Sequence, residues 1–409
     1  MSLIRERSVS RILISSVPST FGAEAAGVLL PLVAVISLQA TPFEVGALSA
    51  ALSAPFVILS LAVGNWLDRS TDLIRLVTWS QVLRAAILGG VALAAVGQSL
   101  SVAVMFGALL LFGSFNVVYS LALRILVFRA SETNSSAVNA NAILEAARQI
   151  ISVGGPAAAG GVAALLGPPR ALLISVACFL ISAVLYRGRH NQRVETVPSG
   201  GSHSSWRTGV ARVLRTPVLR LTALEGAWLN TCYAAAAAVL PVHLVRVVHL
   251  SSAQVGLYYA YLALWGLIGS TVSKRALNRL TVVSFMLASA IFLFIPVMAV
   301  SQARVGVLSL AALAVGGITA AGLVLLNVLI ATVPKVCASE TDTGKVLSAV
   351  RFFSWTGIAL GGLLGGFLAT AFGSGTALLV VAAAGLVVPL LFAIPHGQMT
   401  RHRINVDST

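Results

Sequence analysis

Gly64-Asn65-Trp66-Leu67-Asp68-Arg69-Ser70-Thr71-Asp72-Leu73-Ile74-Arg75 is the stretch of sequence that decides the fold. It places four charged side chains between two long apolar runs. Charge concentrated at such a point marks the place where one membrane helix ends and the next begins. The stretch therefore predicts a short polar turn between two membrane spans.

The composition of the chain supports a membrane protein. Of its 409 residues, 58% are hydrophobic and only 10% are charged, and the mean hydropathy is +0.95. So few charges do not cover the surface of a soluble protein of this length. The net charge of +15 would suit a nucleic-acid-binding protein, but the arginines gather in short segments between apolar runs, which is typical of the positive-inside rule. We expect no nucleic-acid partner.

Apolar runs of about 20 residues predict membrane-spanning helices, because unpaired backbone groups are too costly in hydrocarbon. The sequence contains twelve such spans: 12–37, 44–67, 73–97, 101–126, 137–165, 170–186, 217–247, 254–273, 281–300, 305–333, 346–371 and 376–395. The segments with most Arg and Lys alternate with segments that hold almost none. The positive-inside rule then predicts that both termini are cytoplasmic.

The polar segment 187–216 separates six spans from six. We predict an N-terminal half over 1–186, a cytoplasmic linker over 187–216, a C-terminal half over 217–396 and a cytoplasmic tail over 397–409. Part of the linker, from Trp206 to Arg215, is predicted to form a short basic helix on the membrane surface.

The two halves carry matching markers at nearly constant spacing. A shift of 210 residues takes Pro31 to Pro241 and Gly46 to Gly256, and it takes Asp68 to Asn278. Later in each half a shift of 206 takes three glycines to three glycines: Gly155 to Gly361, Gly160 to Gly366 and Gly167 to Gly373. The sequence therefore predicts an internal duplication, which is the repeat pattern of many transporters.

These features resemble the major facilitator superfamily. Gly64, Asp68, Arg69 and Arg75 fit the loop between its second and third helices, while Ser70-Thr71-Asp72 departs from the usual pattern. The resemblance implies an all-α membrane protein with twelve transmembrane helices in two pseudo-symmetric six-helix halves. Within the superfamily the chain is most similar to the bacterial drug-proton antiporters and siderophore exporters, the branch that includes the enterobactin exporter.

Acidic residues are almost absent from the spans, and we regard Glu24 and Glu225 as candidates for proton coupling. A charge at mid-membrane costs about 2.5–3.5 kcal/mol on insertion scales, so each invites a functional explanation. Glu24 lies 13 residues beyond Arg11, or about 20 Å along a helix, near the middle of the bilayer. The resemblance also places it where related exporters have an acid. The alternative for both residues is a structural acid bonded to a neighbouring helix.

Three further charges in the spans are interpreted as structural. Glu145 and Arg148 are three residues apart, which favours an ion pair on one helix face. Arg84 resembles an arginine of the same family. The family often has an acid three residues earlier, where Gln81 stands here, so the acidic partner expected for Arg84 is unknown.

The fifth span contains a cluster of small residues that includes Gly155, Pro156, Gly160 and Gly161. Small residues let helix backbones approach closely, and the pattern resembles a signature of the superfamily's antiporters. Several polar and aromatic residues of the spans are candidates for lining a substrate cavity, although each alone is more often a packing residue: Asn116, Tyr119, Asn230, Tyr233 and Asn327.

The sequence contains no Walker lysine motif, no metal-ligand spacing and no pairing of a nucleophile with a base. We therefore expect a non-enzymatic secondary transporter with no cofactor, driven by a proton gradient. It would act as a monomer in the bacterial inner membrane and export a small amphiphilic molecule such as a drug, a siderophore or a secondary metabolite. An importer or lipid flippase of the same fold, and a membrane sensor without transport activity, are the alternatives.

The opening stretch also suggests a conformational gate formed by Gly64, Asp68, Arg69 and Arg75. By analogy with the superfamily, Asp68 would meet the start of the eleventh span. A carboxylate beside a helix N-terminus gains about 0.3–1 kcal/mol, enough to favour one state of a two-state cycle. Asp68→Asn would then impair cycling and leave substrate binding intact.

Overall fold

The computed structural model describes residues 2–68, 70, 72–130, 134–187, 206–337 and 343–396. These residues are almost entirely helical, as the sequence predicts, and the all-α fold class is confirmed. Fourteen α-helices form in the described part of the chain: α1 Ser2–Leu32, α2 Pro42–Asp68, α3 Leu73–Val96, α4 Val102–Ala130, α5 Asn134–Leu166, α6 Pro168–Arg187, α7 Trp206–Arg215, α8 Pro217–Arg246, α9 Ser252–Arg279, α10 Val282–Ser301, α11 Val307–Gly316, α12 Thr319–Cys337, α13 Thr343–Phe372 and α14 Ser374–His396. One π-helical turn, Val33–Ser37, extends α1.

Eleven stretches of the described helices are long and apolar enough to cross a membrane. In the fifth predicted span, the apolar stretch among the described residues is Ile150–Leu166 of α5, and the part of the helix before it carries several polar residues. The tenth predicted span is a single apolar segment with a break between α11 and α12. Gly317 stands at this break with helical backbone angles, φ −55° and ψ −36°, and a Cβ atom there would overlap the side chains of Tyr261 and Trp265.

The helices pack into two compact units. Unit 1 comprises Met1–Ala40, Ala51–Gly200 and Ser251–Ala260, and unit 2 comprises Thr41–Ala50, Gly201–Leu250 and Tyr261–Thr409. In unit 1, α6 packs along both α1 and α3. In unit 2, α13 packs along most of α8. Each unit thus includes a ten-residue segment from the opposite half of the sequence.

Small residues explain the close packing of α13 on α8. Gly357, Gly361 and Gly365 recur every four residues, so they lie on one face of α13. A Cβ atom at any of the three would overlap α8, at Ala227, Thr231 and Ala235 respectively. Glycine at these positions lets the two backbones meet, which is a common way to hold membrane helices together.

Backbone geometry confirms the internal duplication that the sequence predicts. Gly167 and Gly373, related by the shift of 206, have φ angles of +80° and +83° at the junctions α5–α6 and α13–α14. Gln39 and His249, related by the shift of 210, also have positive φ, at 51° and 60°. Positive φ is uncommon for residues other than glycine. Its recurrence at corresponding positions therefore shows that the two halves turn in the same way.

The two helix starts that follow Gln39 and His249 are capped alike. At α2, Glu44 accepts hydrogen bonds from the backbone N–H and the hydroxyl of Thr41, at 2.7 and 2.9 Å. At α9, Gln254 accepts one from the backbone N–H of Ser251 at 2.8 Å. Both arrangements are capping boxes, in which the side chain of the third helical residue reaches back to the N-cap. The shift of 210 relates them.

Candidate functional site

Glu24 and Arg148 form an ion pair in unit 1. The Arg148 Nε atom lies 3.5 Å from the Glu24 Oε1 atom. The side chain of Glu24 is 27% exposed and that of Arg148 is 60% exposed. Gly155 brings their helices together, because a Cβ atom there would lie 3.1 Å from the Glu24 Cβ atom. The glycine of the small-residue cluster thus allows α5 to approach α1 at the acid.

The ion pair that the sequence predicts for Arg148 is a different one, and it stays a prediction. The sequence favours an ion pair between Arg148 and Glu145, three residues earlier on the same helix. The side chain of Glu145 lies outside the described residues, whereas Arg148 reaches across to α1. Sequence spacing identifies partners on one helix, but it carries no information about the register between α1 and α5.

Glu225 is buried in unit 2 and has no partner among the described residues. The residue is 5% exposed on α8, which packs against α12, α13 and α14. Its carboxyl group makes no hydrogen bond and no ion pair with any residue that the structure describes. An ionised carboxylate in such surroundings is costly.

Arg84 is enclosed by aromatic rings in the core of unit 1. It is 1% exposed, and its guanidinium carbon lies 4.0 Å from the ring centre of Phe179 and 5.1 and 5.2 Å from those of Tyr119 and Phe112. Cation–π contacts of this kind stabilise a cation that has left water. The sequence did not reveal the cage, because its rings come from α4 and α6, far from α3 in the chain.

The acidic partner expected for Arg84 is not found among the described residues. Its Nη1 atom instead donates to the Gln81 Oε1 atom at 2.8 Å and to the Ser19 Oγ atom at 3.2 Å. Gln81 donates in turn to Ser182, and Ser182 donates to the carbonyl of Ser15. A neutral hydrogen-bond network thus takes the place of a carboxylate. Within the described residues, the buried Nε atom of Arg84 has no hydrogen-bond partner.

Two close helix crossings involve the duplicated glycines. In unit 1, a Cβ atom at Gly160 on α5 would lie 2.6 Å from the Cα atom of Gly256 on α9. In unit 2, a Cβ atom at Gly46 on α2 would lie 2.9 Å from the Cα atom of Gly366 on α13. The shift of 210 relates Gly46 to Gly256, and the shift of 206 relates Gly160 to Gly366. The two crossings therefore correspond to each other in the duplicated halves. Gly161 belongs to the predicted packing motif as well, but a Cβ atom added there would meet nothing within 4 Å.

The predicted gate is described only in part. Arg69, the surroundings of Gly64 and the side chain of Asp68 lie outside the described residues, so the gate stays a prediction. Arg75 is exposed, and its backbone N–H donates to the Asp72 Oδ1 atom at 3.0 Å. Asp72 is therefore the N-cap of α3. An Asp directly before an apolar helix is a helix-start signal, so the sequence already contained this role.

The predicted cavity residues fall into two sets. Asn116 is half-buried in unit 1, where Tyr119 packs on Arg84. In unit 2, Asn230 is buried and donates to the carbonyl of Gly226 at 2.8 Å, Tyr233 is half-buried, and Asn327 is exposed. Asn230 and Tyr119 thus have structural contacts of their own. Asn116, Tyr233 and Asn327 are more accessible.

His243 is a buried polar residue that the sequence patterns did not single out. Its Nε2 atom lies 3.1 Å from the carbonyl oxygen of Val300, and its Nδ1 atom lies 3.0 Å from the Ser374 Oγ atom. The carbonyl requires a proton on Nε2, so in the neutral ring Nδ1 accepts from the serine. The ring joins α8 to the end of α10 and the start of α14 and fixes this corner of unit 2.

Comparison with solved structures places this geometry in a known fold. The nucleoside transporter NupG is 14% identical and matches with a TM-score of 0.76, covering 94% of this chain and 98% of that chain. A bacterial homologue of the human lysosomal transporter Spinster, in an inward-facing and occupied conformation, is 12% identical with a TM-score of 0.77, over 96% and 97% of the two chains. A bacterial homologue of the iron transporter ferroportin, in an inward-facing state, is 18% identical with a TM-score of 0.72, over 95% and 98%.

The sequence itself matches a family model over most of its length. No protein with a curated description is significantly similar to the chain. The model of the Major Facilitator Superfamily, however, matches residues 12–338, which is well over half of the sequence. The fold and the family are those of transporters. This chain belongs to the Major Facilitator Superfamily.

Proposed function

We propose that this transporter exports a small amphiphilic molecule, such as a drug, a siderophore or a secondary metabolite, from the bacterial cytoplasm in exchange for protons. It would lie in the inner membrane with both termini in the cytoplasm, where the arginine-rich segments favour them. The observation that carries the proposal is the carboxyl group of Glu225, which is 5% exposed and has no partner among the described residues. The proton would be its natural ligand.

Glu225 suits proton exchange better than an acid held by a cation. A carboxyl group beside a guanidinium stays ionised, whereas an isolated carboxyl group in a membrane segment is stabilised by taking up a proton. To release that proton it must meet water or a cation in another state of the transporter. A cycle can be driven only when the two states differ in their affinity for the proton.

Glu24 would contribute differently. Its ion pair with Arg148 joins α1 to α5, so Glu24 would hold these two helices together. The exposure of both side chains leaves the pair accessible to water and to a substrate. In this proposal Glu24 fixes the contact between the two helices, while Glu225 carries the transported proton.

The nature of the substrate is proposed from the character of the spans. The candidate lining positions provide few polar groups among many apolar ones, a combination that suits molecules with a large apolar surface. No cofactor is needed, because an ion gradient supplies the energy. Movement of the two halves would expose the substrate to each side of the membrane in turn, as in other transporters built from repeats.

Reconstitution into liposomes with an imposed pH gradient tests the function. A panel of antibiotics, dyes and siderophores would be assayed for accumulation in inside-out vesicles. We expect accumulation of at least one amphiphilic compound when the vesicle interior is acidic, and its loss on addition of a protonophore. Accumulation that ignores the gradient would reject proton antiport. Uptake only in the reverse direction would indicate an importer.

A further inference from the structure

The helix α7 lies at the membrane surface because of its connection to α8. A single residue, Thr216, separates the end of α7 at Arg215 from the start of α8 at Pro217, and its backbone N–H donates to the carbonyl of Arg212 at 3.0 Å. The segment Pro217–Arg246 is long and apolar enough to cross the membrane. A helix joined so tightly to the end of a span cannot be far from the lipid headgroups.

One face of α7 is occupied by the protein. Val213 is fully buried and Gly209, one turn earlier, is buried as well. These residues lie on the face that packs against α13 and α8, both in unit 2. This contact holds the helix in a fixed orientation, so the residues on its remaining surface point in defined directions.

The exposed surface of α7 has an apolar flank and a basic flank. Val210 and Leu214 are four residues apart on one side, and Leu214 is 43% exposed. Arg212 and Arg215, three residues apart, are exposed on the other side. Arg220, in the first turns of α8, adds a third exposed cation. Within the described residues these three guanidinium groups have no hydrogen bond and no ion pair.

We infer that α7 is a docking surface for anionic phospholipids, with phosphate groups bound by Arg212, Arg215 and Arg220. An amphipathic basic helix at the interface places its apolar side among the acyl chains, while its arginines attract acidic headgroups. The charge balance of the surface supports a lipid partner, because no acidic residue occurs anywhere between Trp206 and Arg220. The inference depends on membrane embedding and does not depend on the transported substrate.

Lipid bound here would act on unit 2 through α7. The lipid-bearing helix packs against α13, and α13 carries Gly366, which forms the close crossing with Gly46. Anionic lipid would therefore stabilise the position of α13 through α7.

Purified full-length protein titrated with phosphatidylglycerol or phosphatidylcholine provides the test. The shift of the thermal unfolding midpoint and the number of lipids retained in native mass spectrometry would be measured. We expect a preference for phosphatidylglycerol that weakens roughly 10- to 30-fold in the double variant Arg212→Gln with Arg215→Gln, since each arginine near an anionic surface contributes to lipid attraction.

Matched controls separate this surface from general positive charge. Arg275→Gln with Arg279→Gln removes two exposed arginines from the end of α9 and should leave the preference within about threefold of the wild type. Arg212→Lys with Arg215→Lys keeps the charge and should keep the preference. If the glutamine variant does not fold, high salt should abolish the preference in the wild type.

Several results would overturn the inference. Equal binding of the two lipids by the wild type would do so, and so would an equal loss in the α9 control. Glycerophosphoglycerol carries the same phosphodiester headgroup without acyl chains. If it stabilised the protein as well as phosphatidylglycerol does, the site would bind a soluble phosphate and not a lipid surface.

Discussion

At the scale of single residues, the two membrane-embedded acids differ in their surroundings. Glu24 shares an ion pair with Arg148, whereas Glu225 is buried without a partner in the described part of the chain. The sequence places both in apolar spans and identifies a partner for neither. The distinction arises from helix packing, because a partner 124 residues away leaves no mark on local spacing.

We predict that Glu225→Gln abolishes proton-driven transport. The amide has the shape of the acid but cannot bind and release a proton, so accumulation driven by a pH gradient should fall at least about tenfold. Exchange of substrate down its own gradient should continue. Proton-driven accumulation and substrate exchange are both measured with the same reconstituted protein.

Glu44→Gln is the matched control. Glu44 accepts the hydrogen bonds that cap α2, and the corresponding residue of the duplicated cap is already a glutamine, Gln254. The control should retain full transport. If Glu225→Gln also kept proton-driven accumulation, Glu225 would be a structural acid.

A second prediction concerns Arg84. Its planar guanidinium stacks on three rings and donates to Gln81 and Ser19, geometry that an ammonium group does not reproduce. Arg84→Lys should therefore destabilise the protein by about 1–3 kcal/mol. Arg84→Met removes the unpaired charge and keeps much of the volume, so it should be less harmful.

Thermal unfolding of the two Arg84 variants in detergent measures the difference. A midpoint that is lower for the methionine variant than for the lysine variant would show that unit 1 needs the positive charge itself. In that case Arg84 would have a role in transport, and its loss should also be visible in the liposome assay.

At the scale of helices, the sequence predicts some features well and others poorly. Apolar periodicity and length identify the spans, and turn residues identify their ends. The sequence does not predict the polar first half of α5 or the break between α11 and α12, because each lies within a longer predicted span. The aromatic cage of Arg84 was missed because α3, α4 and α6 each contribute one or two residues, and no single helix shows the pattern.

The two neighbouring glycines of α5 allow a sharp prediction. A Cβ atom at Gly160 would overlap Gly256 of α9, whereas one at Gly161 would meet nothing within 4 Å. Gly160→Ala should push the helices apart, with a cost of about 1–3 kcal/mol and a loss of transport. Gly161→Ala should be neutral or stabilising by up to about 1 kcal/mol, because alanine favours a helix.

Transport rates and unfolding midpoints of both variants measure this contrast. The duplication adds a further requirement, since Gly366→Ala should behave like Gly160→Ala at the related crossing with Gly46. Equal effects of Gly160→Ala and Gly161→Ala would mean that the small-residue cluster acts through flexibility and not through close contact.

At the scale of the whole molecule, the duplication and the compact units divide the chain differently. The sequence predicts halves over 1–186 and 217–396, and these boundaries remain a prediction. Each compact unit, however, takes Thr41–Ala50 or Ser251–Ala260 from the other half. Both exchanged segments are helix starts with a capping box, and each carries a glycine that forms a close crossing. The two exchanged segments therefore occupy corresponding positions in the duplicated halves.

This exchange predicts how the protein behaves when the chain is divided. Fragments 1–200 and 201–409, expressed separately, each lack a segment that completes a unit. The first lacks the helix start that packs on Gly160, and the second lacks the one that packs on Gly366. Each fragment alone should unfold at a lower temperature than the intact protein, whereas the two together should copurify and recover its stability, since a partner that binds only the folded form stabilises it.

Copurification through a tag on one fragment, followed by thermal unfolding, provides the measurement. The control is Gly256→Ala in the second fragment, which introduces a Cβ atom 2.6 Å from the Cα atom of Gly160 and should weaken the association. A first fragment that is as stable alone as in the pair would show that the exchanged segment is dispensable. Association unaffected by Gly256→Ala would show that the fragments are joined elsewhere.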